Sequence, residues 1–442
     1  MVSLLIGERM MGELCLFNTM TDTVERFTPR KTGRVKFFTC GPSVYREQHI
    51  GNYRTFLFED VLQKYLTYSG YTVERVINFT DVEDKAIEEA REKGVSVEEL
   101  RKPVEDDFFK ACKWLNIDLP ESIPRASTSV NAAVKLIRRL IGRGHAYWHE
   151  GDVFFDPLTC DGFGRLFGLN MHHWPKKKIR FRKDTYPGHR WNKGDFILWH
   201  KRRPKDSEQW WDTDIGQGRP AWNIQDAAMI SEHLGFEIDI HAGGIDNLYR
   251  HHDYTLAIME GASGGSFCPW WLHGGHLLVD GKKMSKSKGN VMTVEDLLGR
   301  GFLPHHIRVF LLCGPYRNKL DLSMAQVERG AGRIDRIRRL VDRLFKNLSG
   351  AAFRKPETVK DGPAMELRRA FEERMDDNLD FKGAFEAASD HLARAVQWDA
   401  SRGLTTDARA DLLAVLRQVD GVLGVLLPNH LGGDSKHANI QT

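Results

Sequence analysis

A strand–helix–strand pattern near the start of the chain constrains the fold most. Residues 34–45 read as a short apolar strand that ends in a Gly-Pro turn, and residues 71–79 read as a second strand. Between them, from Asn52 to Leu66, apolar residues recur at helical spacing. This order predicts a βαβ unit and therefore a parallel sheet.

Helical patterns follow this unit and dominate the second half of the chain. An amphipathic helix is predicted from Val130 to Arg143, with Ser129 as its N-cap. Beyond Gly301 the chain is mostly helical, and a last helix is predicted over 411–427, stopped by a proline. One helix carries an apolar stripe, made of Ile334, Ile337, Val341, Leu344 and Phe345. Arginines crowd the rest of its surface, namely Arg333, Arg336, Arg338, Arg339 and Arg343.

Length and composition limit the class of protein. A chain of 442 residues, 41% hydrophobic and 28% charged, is long enough for several domains. It has no run of 18 apolar residues and no signal-peptide pattern at its start, so we expect no membrane span. Its six cysteines include no C-x-x-C pair, a pattern typical of reduced thiols in a cytoplasmic enzyme.

A basic segment interrupts the middle of the chain. Residues 171–205 contain twelve Lys and Arg against two Asp, although the net charge of the whole chain is only +4. Such a segment is either a solvated surface or a surface for phosphates and nucleic acid, where clustered cations release counterions.

Two short motifs predict a phosphate site. His49 and Gly51 lie where the first strand turns into the first helix, a position at which free N–H groups meet anions. This turn alone is weak evidence. Residues 283–287 read K-M-S-K-S, and two lysines alternating with hydroxyls are suited to holding a triphosphate during adenylation. Together the motifs resemble the H-I-G-H and K-M-S-K-S signatures of class I aminoacyl-tRNA synthetases, with Asn52 in place of the final histidine.

Within that class, ordered matches across residues 14–427 resemble cysteinyl-tRNA synthetase. They include the segments 40–45 (C-G-P-S-V-Y), 78–85 (N-F-T-D-V-E-D-K), 243–246 (G-G-I-D) and the pair His251-His252. Resemblance and pattern together imply an α/β fold, in which a Rossmann-like nucleotide-binding domain with a parallel sheet is split by an insertion and followed by an α-helical bundle. The predicted divisions are 1–145 and 216–300 for the two halves of the catalytic domain, 146–215 for the insertion, 301–428 for the bundle, and 429–442 for a disordered tail.

The resemblance also implies an ATP site that works with Mg²⁺. His49, Asn52, Lys283 and Lys286 are the expected catalytic residues. The ATP-binding residues implied are Gly41, His49, Gly51, Asn52, Asp246, Lys283, Met284, Ser285, Lys286 and Ser287. The substrate carboxylate would attack the α-phosphorus of ATP, and positioning and charge stabilisation would supply most of the rate.

The amino-acid pocket implied by the resemblance comprises Cys40, Thr80, Trp222, Asp226, His251 and Thr255. In the family, zinc held by Cys, Cys, His and Glu reads the thiol of the substrate. Here Asp226 replaces the second cysteine and Thr255 replaces the glutamate. Zinc is therefore either lost along with a change of substrate, which the sequence favours, or retained on Cys40, Asp226 and His251. Degenerate catalysis is the third alternative. A buried Asp226 should also have a partner, expected to be a substrate amine or zinc.

Three functions follow as hypotheses. The first is a cytoplasmic enzyme that activates cysteine or a related amino acid with ATP and transfers it to tRNA. The second is a ligase that transfers the activated amino acid to a small amine or a carrier protein, which a missing anticodon-reading domain after about residue 427 would favour. The third is a non-catalytic binding module derived from a synthetase, against which the intact K-M-S-K-S loop argues.

Overall fold

The computed structural model describes residues 14–173, 194–204, 206, 208–284, 289–346, 359, 361–428 and 431, and the backbone of 5–6 and 9–10. The strands are β1 (Leu5–Ile6), β2 (Arg9–Met10), β3 (Cys15–Asn18), β4 (Thr23–Arg26), β5 (Arg34–Thr39), β6 (Thr72–Ile77), β7 (Ala146–His149), β8 (Asp152–Phe155), β9 (Phe196–Lys201), β10 (Gly218–Pro220), β11 (Ile240–Gly244), β12 (Trp270–Gly274), β13 (Leu277–Val279), β14 (Lys282–Lys283) and β15 (Leu320–Leu322). The α-helices are α1 (Ile50–Tyr68), α2 (Asp84–Lys93), α3 (Val97–Trp114), α4 (Val130–Gly142), α5 (Trp222–His233), α6 (Asp253–Ser263), α7 (Val294–Gly299), α8 (Pro304–Leu312), α9 (Met324–Phe345), α10 (Gly362–Asp376), α11 (Phe381–Arg402) and α12 (Thr406–Leu423).

A parallel sheet with the strand order β12-β11-β5-β6 positions the site. The predicted βαβ unit is confirmed: β5 and β6 pair in parallel through α1. A second unit, β11-α6-β12, continues the sheet in the opposite direction from β5. The chain order therefore reverses between β5 and β11, and ligands of such sheets bind at the carboxyl ends of the strands at this point.

Apolar burial on both faces explains why these segments form central strands. Val35, Phe37 and Phe38 of β5 are fully buried, as are Leu57 and Val61 of α1 beside them. Each such side chain contributes roughly 1.5–3 kcal/mol on burial. A strand buried on both sides is rich in apolar residues, and Val35, Phe37 and Phe38 follow this pattern although Lys36 interrupts it.

An antiparallel sheet, β10-β9-β8-β7, lies in the chain between the two halves of the parallel sheet. It falls largely within the predicted insertion, for which the sequence suggested no strands. The basic residues Lys176, Lys177, Lys178 and Arg182 of the predicted phosphate surface lie outside the described residues. The predicted division points of the chain stay predictions.

The helical region after Gly301 is confirmed, and the apolar stripe of α9 is buried as expected. The predicted end of the last helix was wrong. The last helix is α12, which ends at Leu423 because Gly424 adopts a left-handed φ of 70°, before the predicted stop at Pro428. Ser129 is the N-cap residue of α4, as predicted, although its side chain makes no capping hydrogen bond.

Two of the arginines on α9 make contacts within the protein. Arg338 donates to the carbonyls of Val425 and Leu427, and Arg333 pairs with Glu386. Across the part of the chain that the structure describes, no helix is both long and apolar enough to cross a membrane.

Candidate active site

The turn at His49 starts α1 directly beyond the carboxyl end of β5. The backbone N–H of His49 donates to Oδ1 of Asn52 at 3.1 Å, so Asn52 helps to close the first turn of the helix. A Cβ on Gly51 would lie 2.8 Å from Cε of Met284 and 3.1 Å from Nδ1 of His49. Gly51 therefore lets the loop that carries Met284 approach the helix closely.

The start of the K-M-S-K-S segment lines the same cavity as this turn. Lys283 ends the short hairpin β13-β14 and is exposed, while Met284 is buried. Asp246, just beyond the end of β11, is exposed on the same cavity. Ser285, Lys286 and Ser287 lie outside the described residues, so their predicted roles stay predictions.

One cavity of about 250 Å³ joins the predicted ATP site to the predicted amino-acid pocket. Of the predicted residues that the structure describes, its lining includes Cys40, Gly41, His49, Gly51, Asn52, Thr80, Trp222, Asp226, Asp246, His251, Lys283 and Met284. The structure thus brings together residues that are far apart in the sequence. Cys40 and Met284, for example, are separated by 244 positions. A cavity of this kind, at the switch point of a parallel sheet, is a typical ligand site.

The electrostatics of the ATP side suit an anionic ligand. Burial lowers the pKa of His49, and the Lys283 ammonium lowers it further although Asp246 opposes this. His49 is therefore neutral at pH 7. Its Nδ1 is buried and has no hydrogen-bond partner among the described residues. A neutral imidazole beside Lys283 and the free N–H groups of a helix start can receive a phosphate group.

A hydrogen-bonded cluster forms the other end of the cavity. Asp226, at 1% exposure, accepts from Nδ2 of Asn78 at 2.9 Å and from Sγ of Cys40 at 3.2 Å. Its Oδ2 lies 2.8 Å from Nε2 of His251, whose ring stacks on Trp222 at 4.1 Å. The protein itself supplies partners for Asp226 in Asn78, Cys40 and His251. The expected substrate amine or zinc stays a prediction.

The pKa values of this cluster follow from its burial and charges. Burial and the nearby Asp226 carboxylate raise the pKa of the Cys40 thiol well above its usual value. Burial also acts to raise the pKa of Asp226, but its interaction with His251 lowers it below the usual value. The cluster therefore holds a protonated thiol beside an ionised carboxylate.

Sequence reasoning missed Asn78 as a pocket residue. Its Oδ1 accepts from the N–H of Gly41 at 2.8 Å while its Nδ2 holds Asp226, so it connects the ends of β5 and β6 to α5. The sequence signal that could have identified Asn78 was its position directly after a central parallel strand.

The backbone conformation before His251 was also not predicted. Arg250 adopts φ 79° and ψ −66°, a strained conformation that directs the two following histidines inward.

The likeness to solved structures shows the class of fold. A Mycobacterium tuberculosis methionyl-tRNA synthetase in complex with methionyl-adenylate matches with a TM-score of 0.61 at 16% identity, covering 88% of this chain and 90% of that one. This is the fold of a class I synthetase.

Sequence comparison defines the family. The family described as tRNA synthetases class I (C) catalytic domain matches residues 26–332. A cysteine–tRNA ligase of Chlamydia muridarum is 35% identical over 424 residues, which are 94% of this chain and 88% of that protein. One of Solibacter usitatus is 38% identical over 331 residues, 75% of this chain and 70% of that protein. The chain belongs to the class I tRNA synthetase family of the cysteine type.

The residues at the family's zinc positions do not reproduce a four-ligand site. Thr255 does not line the cavity, which corrects its predicted place in the pocket: its hydroxyl donates to the carbonyl of His251 at 2.9 Å. Cys40, Asp226 and His251 do bring one ligand atom each within 4.8 Å of the others. However, Nδ1 of His251 is buried without a partner in the described part of the chain, whereas a ligating histidine normally donates its second N–H.

Proposed function

We propose that this chain activates cysteine or a related amino acid with ATP, forming an aminoacyl-adenylate, and transfers the aminoacyl group to the terminal adenosine of a tRNA. The observation that carries the proposal is the single cavity that the two signature motifs share with a separate polar pocket. The relatives named cysteine–tRNA ligase support the same activity. We also propose a cytoplasmic location, consistent with six cysteines that include no C-x-x-C pair.

ATP, with Mg²⁺, occupies the motif end of the cavity in this proposal. The phosphates meet the start of α1 at Gly51 and the His49 imidazole, and Asp246 accepts from a ribose hydroxyl. Lys283, and Lys286 beyond the described residues, stabilise the charge that moves onto the leaving pyrophosphate. Because these groups act on charge that develops in the transition state, they raise the rate of adenylation more than they raise substrate affinity.

The amino acid occupies the other end, between Thr80, Trp222 and the cluster around Asp226. Asp226 and His251 form a fixed pair of opposite polarity at 2.8 Å, and Trp222 covers the His251 ring. A side chain that complements this pair gains hydrogen bonds, whereas a wrong one leaves buried groups unpaired, which costs roughly 1–3 kcal/mol. We derive no step through zinc, because the family's four-ligand set is absent at these positions.

Aminoacylation of total tRNA tests the transfer step. The purified full chain is incubated with ATP, Mg²⁺ and single labelled amino acids, and the label on tRNA is measured. Periodate-oxidised tRNA, which lacks an intact terminal ribose, is the matched control and should accept nothing. Label on intact tRNA supports the proposal. Adenylate formation followed by transfer only to small amines or a carrier protein would contradict it and favour the amine ligase.

A further inference from the structure

We propose that Cys40, His241 and His252 form a site for a divalent metal ion of the zinc type beneath the floor of the cavity, as an alternative to the family's zinc positions. One ligand atom from each of the three lies within 4.8 Å of the other two. Thiolate and imidazole are the ligands that zinc prefers in proteins. Three protein ligands leave one position for water.

The site lies below the substrate cavity and is closed to substrate. Cys40 lines the cavity, but His241 and His252 do not and are both 0% exposed. A metal at this position would hold the end of β5 to β11 and to the turn before α6. It would therefore fix the floor of the amino-acid pocket without touching the amino acid.

His252 has the outer hydrogen bonds of a ligating histidine. Its Nε2 lies 3.0 Å from Sγ of Cys40, and its Nδ1 lies 2.7 Å from Nε2 of His273. His273 in turn contacts Oγ1 of Thr19 through Nδ1 at 2.8 Å. When each Nδ1–H donates along this chain to Thr19, the lone pair on Nε2 of His252 faces Cys40. Such outer bonds fix the tautomer and the orientation of a metal ligand.

His241 supplies an independent indication. Both of its ring nitrogens are buried without a hydrogen-bond partner in the described residues, and leaving a buried polar atom unpaired costs roughly 1–3 kcal/mol. Its ring stacks on Trp271 at 4.5 Å and contacts Phe38 at 5.1 Å, so it is held in place inside the core. A metal bond to one ring nitrogen accounts for a polar ring in this position.

The local charge suits a divalent cation. A metal-bound Cys40 thiolate and the Asp226 carboxylate, whose Oδ2 lies 3.2 Å from Sγ, together balance two positive charges. The set at the family's zinc positions also uses Cys40, so the two sets compete for one ion. His251 lacks the outer hydrogen bond that His252 has.

The zinc affinity of the full chain tests the proposal. Bound metal is first removed with a chelator, and the affinity for added zinc is then measured by competition with a chromophoric chelator. His241→Phe and His251→Phe form a matched pair, because each histidine stacks on a tryptophan that a phenylalanine ring can still contact. We expect the wild type to bind one equivalent, His241→Phe to lose roughly 100-fold or more in affinity, and His251→Phe to bind like the wild type. Loss in His251→Phe, unchanged affinity in His241→Phe, or no binding by the wild type would overturn the proposal.

X-ray absorption of the zinc-loaded wild type gives a second readout that needs no variant. The proposal predicts one sulfur and two imidazoles around the metal. One sulfur with one imidazole and a carboxylate would place the ion at the family's positions instead. Neither measurement uses turnover, so failure here is distinguishable from failure of the proposed adenylation.

Discussion

Gly41→Ala should damage both the stability and the activity of the protein, because Gly41 lies against the backbone of Asn78. A Cβ on Gly41 would lie 1.7 Å from the carbonyl oxygen of Asn78 and 3.0 Å from Cγ1 of Ile77. Ordinary contact begins at 3.4 Å, so the ends of β5 and β6 must move apart by about 1.7 Å. The obstacle is backbone, which cannot rotate away as the end of a side chain can.

The expected magnitude combines two costs. Overpacking of this kind costs about 1–3 kcal/mol, and the hydrogen bond from Gly41 to Asn78 adds about 1 kcal/mol if it is lost. We expect the free energy of unfolding to fall by about 2–4 kcal/mol on these grounds. Asn78 also holds Asp226, so the pocket shifts with it, and a misplacement of about 1 Å can cost roughly 100-fold in rate.

Urea denaturation and pyrophosphate exchange kinetics measure the two effects. Gly142→Ala is the matched control, because a Cβ there meets nothing within 4 Å and the residue lies in α4. That control should be stabilised by about 0.4–1 kcal/mol and stay fully active. A Gly41→Ala protein with wild-type stability and exchange would refute the assigned contact between the strand ends.

Three further changes have defined outcomes. Lys286→Ala should lower the rate of ATP–pyrophosphate exchange by roughly 100-fold, since this lysine is expected to stabilise the charge that moves onto the leaving pyrophosphate. Full activity of this variant would show that the lysine takes no part in adenylation. Trp222→Ala should raise the KM for the amino acid by about 2- to 13-fold, because an aromatic contact with His251 worth about 0.5–1.5 kcal/mol is lost. An unchanged KM would place the amino acid elsewhere. Burial lowers the pKa of His305 from 6.5 to about 4, so between these pH values the unfolded chain binds a proton that the folded chain does not. The free energy of unfolding should therefore fall as pH drops from 6.5 to 4. If His305→Gln showed the same dependence of this free energy on pH as the wild type, the assignment would be contradicted.

The fold and the motif end of the site could be predicted because their signals are local. The alternation of strand and helix around α1 and the placement of Gly51 at its start follow from short stretches of sequence. The connection through Asn78 could not be predicted, because it depends on side chains from β5, β6 and α5 meeting in space. Thr255 was misplaced for a related reason: its hydroxyl has a local acceptor, the carbonyl of His251 one helical turn earlier, and so does not enter the cavity.

Amino-acid-dependent ATP–pyrophosphate exchange tests the central claim most directly. The full chain is assayed without tRNA across a panel of amino acids that includes cysteine and serine, and each rate is compared with the rate without amino acid. We predict exchange that depends on at least one amino acid, because the cavity joins the signature motifs to a separate side-chain pocket. Absence of exchange with every amino acid of the panel would contradict the account and favour a non-catalytic binding protein.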